Sequence, residues 1–145
     1  MKFKVDRSEL TLGVNTVCKA ISNRTTLPIL ENIYVKLQND QIILRGNDLE
    51  LGIEYCLSVD VISNDGPQGV LLKSNTLSDI LSKLNSDYIE FELNDSYKCN
   101  IKSNSVDFDI FGINNDEYPQ FPDVERDVSF TLNTPLLSDL IKHTI

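Results

Sequence analysis

A pairing of short strand and amphipathic helix occurs three times in the chain, and it limits the possible folds more than any single motif does. It opens at Phe3-x-Val5 and runs on through Leu10, Val14, Val17 and Ile21. Steps of three and four residues place those side chains on one stripe of a helix. The pattern returns without a gap 67 residues later: Val70-x-Leu72 matches the strand, Leu77, Leu81 and Leu84 match the stripe, and Ile80 widens it. A third copy starts at Phe130-x-Leu132 and continues through Leu137, Leu140, Ile141 and Thr144. Each stripe follows residues suited to a helix start: Arg7-Ser8, Ser74-Asn75 and Asn133-Thr134-Pro135.

Strands fill the intervals. Ile33–Leu37 and Gln41–Leu44 flank an Asn39-Asp40 hairpin turn, and Leu49–Val61 reads as one long or bulged strand. After the second helix come Tyr88–Leu93, Lys98–Lys102 and Val106–Phe111, with turns at Asn94-Asp95-Ser96 and Ser103-Asn104. Each unit is therefore strand, helix and three strands, an α+β arrangement. One unit cannot bury its stripe alone. Two units related by a pseudo-twofold can, with paired helices on one face of a curved sheet. The tract Asn114–Asp127, with Pro119 and Pro122, reads as a linker out of the domain, and a third unit stopping at Ile145 leads us to expect a fragment.

Composition narrows the function. Lys and Arg number 13 against 22 Asp and Glu, a net charge of −9, which argues against a tight non-specific grip on phosphate unless the charges are segregated. The start, Met1-Lys2-Phe3-Lys4-Val5, lacks a signal peptide's apolar stretch, and no apolar run has the length of a membrane helix. A cytoplasmic protein is expected. Cys18, Cys56 and Cys99 are widely spaced, with no Cys-x-x-Cys and only His143 as a histidine, so three buried or half-buried free thiols are expected rather than a zinc site.

Several strings carry a resemblance. Arg24-Thr25-Thr26-Leu27-Pro28-Ile29-Leu30-Glu31-Asn32 resembles the loop after the first helix of bacterial DNA sliding clamps, the beta subunits of DNA polymerase III. Gly46-Asn47-Asp48-Leu49-Glu50 is similar to the turn into their long strand, and Tyr118-Pro119-Gln120-Phe121-Pro122 to the segment that closes their first domain. Met1-Lys2-Phe3 is similar to their start. In order and at the right spacing these strings are specific, and the resemblance spans the whole chain. It implies the DNA-clamp fold, with residues 1–125 as the N-terminal domain and 126–145 as linker and truncated start of a second. It also implies a head-to-tail homodimeric ring of three-domain subunits, helices inward around double-stranded DNA, that tethers the replicative polymerase during replication. Such a processivity factor is an accessory subunit and not an enzyme, needs no cofactor, and binds polymerase and clamp loader through domains outside this chain. The alternative is a non-catalytic clamp-fold module that binds protein and does not encircle DNA.

The helical segments and their flanks carry Arg7, Lys19, Arg24, Lys73 and Lys83 against Glu9 and Asp79, while the strands and turns hold most of the other acids. Under the resemblance Arg24, Lys19, Lys73 and Lys83 are the expected DNA contacts. The plainer reading makes them solvated surface charge, or makes Arg24 a loop-fixing residue. Asn75 stands where relatives often carry a base, and is expected to cap the second helix. Val106-Asp107-Phe108-Asp109-Ile110-Phe111 alternates apolar and acidic residues, and in the family the corresponding edge strand meets the partner's third domain. Val106, Phe108 and Ile110, with Leu77 and Ile80 on the second helix, are therefore candidates for a ring interface. An ordinary half-buried strand with Phe108 in the core fits equally, because alternation does not say which side is which. His143 has no nucleophile at motif spacing, no Gly-rich phosphate loop is present, and Asp107 and Asp109 lack a third ligand, so neither a catalytic nor a metal site is expected.

Overall fold

A computed structural model describes residues 1–145 apart from Val124 and Arg126. Its elements follow the repeat. Unit one is β1 (Lys2–Asp6), α1 (Arg7–Cys18), β2 (Asn32–Gln38), β3 (Gln41–Asn47) and β4 (Gly52–Ser58), followed by a short β5 (Asp60–Ser63). Unit two is β6 (Gly69–Lys73), α2 (Ser74–Lys83), β7 (Tyr88–Leu93), β8 (Lys98–Lys102) and β9 (Asp107–Phe111). A 3-10 turn at Pro28–Glu31 and α3 (Thr134–Thr144) complete the described elements.

The two units trade their first strands. β1 of unit one pairs antiparallel with β7 of unit two, and β6 of unit two pairs antiparallel with β2 of unit one. The described strands therefore form two sheets, β5-β1-β7-β8-β9 and β4-β3-β2-β6, where the sequence suggested a single curved one. The long strand expected over Leu49–Val61 is the reason for the division. It breaks at Val59, whose N–H donates to the Asp40 carbonyl, and β5 then crosses to pair with β1. Unit two mirrors this step, since Ile113 beyond β9 forms a bridge to Leu71 at the open edge of β6.

Alternation decides which side chains go in. Phe3 and Val5 on β1, Ile33, Val35 and Leu37 on β2, and Ile89, Phe91 and Leu93 on β7 all enter one core with Leu10, Val14 and Val17 of α1 and Leu77, Leu81 and Leu84 of α2. Phe3 stacks on Phe91 with ring centroids 4.9 Å apart, so the exchange of strands lies at the centre of the core. The two helices pack against each other, with Cys18 Sγ 4.0 Å from Ser78 Oγ. The paired-helix expectation therefore holds. Gly46 on β3 allows α1 to sit this close, because a Cβ there would strike the Val17 carbonyl oxygen.

Of the third unit, the described residues show the helix alone. Phe130-x-Leu132, expected as a strand, is not assigned to one, and Phe130 is 82% exposed. β1 and β6 each pair with the other unit's three-stranded meander, and no third meander is found among the described residues. Yet α3 forms as read, with Asn133 Oδ1 accepting from the Leu136 N–H, although none of its residues is buried. Residues 114–122, read as linker, lie across the outer face of the four-stranded sheet, where Tyr118 is buried with Leu30, Tyr34 and Leu71. Val124 and Arg126, in the same tract, fall outside the described residues.

Candidate nucleic-acid interface

The caps of α1 and α2 differ from those that the sequence suggests. Asp6, not Arg7-Ser8, caps α1: its Oδ1 accepts from the Glu9 N–H at 2.9 Å. The backbone of Lys73 occupies the cap position of α2 with no side-chain hydrogen bond, and Asn75 sits inside the helix with its side chain exposed. Asn75 is thus not a cap. β6 runs directly into α2, which puts the last strand residue where a capping side chain would stand. Arg7 is structural as well, since its Nε donates to the Ser86 carbonyl at 2.8 Å and its N–H to the Asp87 carbonyl at 2.8 Å.

The exposed faces of the two helices make one surface. α1 contributes Ser8, Glu9, Leu12 and Asn15, and α2 contributes Asn75, Thr76, Asp79, Ser82 and Lys83. Lys19 lies exposed at the C-cap of α1 and Arg24 in the following loop, where its N–H donates to Ser22 Oγ. Lys83 is exposed in the last turn of α2, the favourable end of the helix dipole for a cation. Lys73 is exposed but leans 3.6 Å from the Glu31 carboxylate on the 3-10 turn. None of the ion pairs among the described residues involves Arg24, Lys19 or Lys83. In a chain of net charge −9 this surface and its flanks carry cations and anions in near balance, with small neutral hydrogen-bonding groups between them.

The β9 edge is the other candidate surface. β9 is the last strand of the five-stranded sheet. Ile110 is buried in the core with Leu77 and Ile80, Phe108 is half-buried against that core, and Val106 is exposed just before the strand. Its other face presents Asp107, Asp109 and Phe111. The Asp109 carboxyl is held below the usual carboxylate range by the Asn100 amide at 3.0 Å and by Lys98 at 2.7 Å. Phe111, 77% exposed, escaped the sequence reading although the signal was there: it is the aromatic residue in step with the aspartates.

Also missed was a row of side chains across the outer face of the four-stranded sheet. Leu71, Tyr34, Arg45 and Glu54 are successive register partners on β6, β2, β3 and β4. Arg45 Nε meets Glu54 Oε2 at 2.6 Å, and its guanidinium lies 5.3 Å from the Tyr34 ring centroid and 5.1 Å from that of Phe121. The thiols differ from expectation in one respect: Cys99 is buried and Cys18 half-buried, but Cys56 is exposed on β4, an edge strand whose outward positions face solvent. Among the described residues no cluster of three potential metal ligands is found, and no helix is long and apolar enough to cross a membrane.

Comparison with known proteins gives a consistent result. The family described as "DNA polymerase III beta subunit, N-terminal domain" matches residues 1–122. The chain is 31% identical to the beta sliding clamp of Bacillus subtilis over 150 residues and 32% identical to that of Halalkalibacterium halodurans over 152, in each case across 100% of its own length. It spans about 40% of the length of these curated relatives. The crystal structure of the Bacillus subtilis sliding clamp superposes with a TM-score of 0.87 over 98% of this chain and 39% of that one, at 31% identity.

Proposed function

Because the chain belongs to the DNA polymerase III beta subunit family, matching its N-terminal domain, we propose that residues 1–125 serve as the first domain of a ring that encircles duplex DNA. Residues 126–145 are then the linker and the opening of a second domain. One observation carries the reading: two adjacent helices present a near-neutral, hydrogen-bonding surface on an otherwise acidic domain. A ring that slides needs weak phosphate contact, exchanged through water, on its inner surface, and acidic outer surfaces disfavour DNA elsewhere. Arg24, Lys19 and Lys83 supply the contact, and Lys73 does so when it leaves Glu31. Processivity comes from topology, so the protein is an accessory subunit that tethers a polymerase and catalyses nothing itself.

The β9 edge closes the ring by accepting a strand from the partner subunit. Val106 and Phe108 are the side chains open to that contact. Ile110, Leu77 and Ile80 act from beneath, fixing β9 against α2. Three free thiols suit a reducing cytoplasm. The test uses a clamp of the relatives' full length that carries this domain, loaded on a closed circular plasmid. It should stay bound to the circle and leave when the circle is cut. Retention on both forms, or on neither, overturns encirclement in favour of a protein-binding module.

A further inference from the structure

We propose that Arg45 is a positioning residue that latches the strap of residues 113–122 to the four-stranded sheet, so that the chain leaves the domain at one fixed place beside β4. The strap crosses the whole sheet above a single cross-strand row. It starts at β6, where Ile113 and Leu71 exchange N–H···O bonds of 3.0 and 3.1 Å. It passes β2, where Tyr118 stacks on Tyr34 at 5.5 Å. It reaches β3 and the head of β4, where Phe121 covers Arg45 and lies so close to Gly52 that a Cβ there would come within 2.9 Å of the Phe121 ring. Arg45 is the hinge pin of this arrangement. Its planar guanidinium is ion-paired with Glu54, and it lies over an aromatic ring of the sheet and over one of the strap.

The pseudo-equivalent row in the other sheet shows that the strap is a specific device. There Asp60, Lys4, Glu90, Lys102 and Asp107 are successive register partners on β5, β1, β7, β8 and β9, alternating in sign. Lys4 stands where Leu71 does, and Lys102 where Arg45 does. No described segment covers that row: Lys4, Lys102, Asp60 and Asp107 are exposed. The outgoing chain thus lies on the sheet whose row carries apolar and aromatic side chains, and the fully charged row stays open. The latch is independent of whether the parent encircles DNA; only its consequence, a fixed heading for the next domain, gains value from that reading.

Amide hydrogen exchange on the 145-residue chain tests the latch. Arg45→Ala should speed exchange at Leu71, Ile113 and Tyr118 roughly tenfold, with β1 and β7 amides unchanged, because a local opening is made easier and the global one is not. Arg45→Lys keeps the charge and loses the planar stack, and should fall between wild type and Arg45→Ala. Phe121→Ala should reproduce Arg45→Ala, and Lys102→Ala should leave every strap amide at its wild-type rate. Strap amides unchanged in both Arg45→Ala and Phe121→Ala overturn the proposal. So does an equal acceleration throughout the chain, since that reports a loss of overall stability instead of a latch.

Discussion

Phe3 of the first unit lies flat on Phe91 of the second, with centroids 4.9 Å apart and planes inclined by 13°, at the point where the units exchange strands. Neither unit owns a complete sheet. Unfolding should therefore be one cooperative transition over residues 1–113, and a peptide of residues 1–66 should not fold alone. Phe3→Ala should destabilise the chain by about 3–5 kcal/mol, the cost of truncating a fully buried aromatic. Leu136→Ala, on the uncovered face of α3, should fall within about 0.5 kcal/mol of wild type. Denaturant unfolding followed by circular dichroism distinguishes these outcomes, and two separate transitions would contradict the exchange.

Gly46 makes a second prediction within the motif that pointed to the family. A methyl group there would strike the Val17 carbonyl and press on Ile21 Cγ1 at 3.1 Å. The obstacle includes backbone, so it cannot be relieved by rotating a side chain. Gly46→Ala should cost about 1–3 kcal/mol and push the end of α1, with Lys19, away from β3. Equal stability of the variant and wild type in chemical denaturation would show that α1 tolerates the shift.

Much of this fold was legible because apolar periodicity reports burial directly. The stripes of α1 and α2 and the strands β7 and β8 fall where the pattern put them. What periodicity does not report is pairing. Whether Val70-x-Leu72 joins its own unit or the other depends on contacts between residues far apart in sequence, and so does the meeting of Tyr34, Arg45 and Phe121. Local chemistry failed where two residues competed for one role: Asp6 displaced Ser8 as cap, and β6 left no room for Asn75 to act as one. Of the candidate sites, exposure of Arg24, Lys19 and Lys83 could be guessed from charge. The burial of Leu77 and Ile80 follows from the α2 stripe, but that of Ile110 does not, because an apolar residue on an edge strand serves a core and an interface equally well.

Alkaline pH should weaken the domain through two buried groups. Burial pushes the Cys99 thiol up to about 12 from its ordinary 9.0, and the Tyr118 phenol up to about 12 from 10.0, with Arg45 pulling the latter back slightly. Below about pH 9 folded and unfolded chains both keep these protons, and the groups give no pH dependence. Between about 9 and 12 the unfolded chain loses them first, so it binds fewer protons and stability falls as pH rises. Tyr118 Oη also has no hydrogen-bond partner among the described residues, so Tyr118→Phe removes an unsatisfied buried hydroxyl. That variant should be no less stable than wild type at pH 7, and its stability should decline less steeply from pH 9 to 11. Parallel declines for the two proteins would remove the phenol from the account.

Charge on the helical surface is testable through salt. Each phosphate contact adds about one unit to the slope of log K against log salt. In a full-length clamp carrying this domain, Arg24→Ala should weaken DNA binding and flatten that slope by about 1, with Lys83→Ala acting alike. Lys73 is different, because Glu31 lies 3.6 Å from its ammonium group and competes with phosphate for it. Glu31→Gln should release Lys73 and steepen the slope by up to about 1, whereas Lys73→Ala alone should change it less than Arg24→Ala does. An unchanged slope in Arg24→Ala would take Arg24 off the DNA-facing surface. A steepening in Glu31→Gln that persists in the Glu31→Gln, Lys73→Ala double variant would show that the carboxylate repels DNA directly and that Lys73 makes no contact.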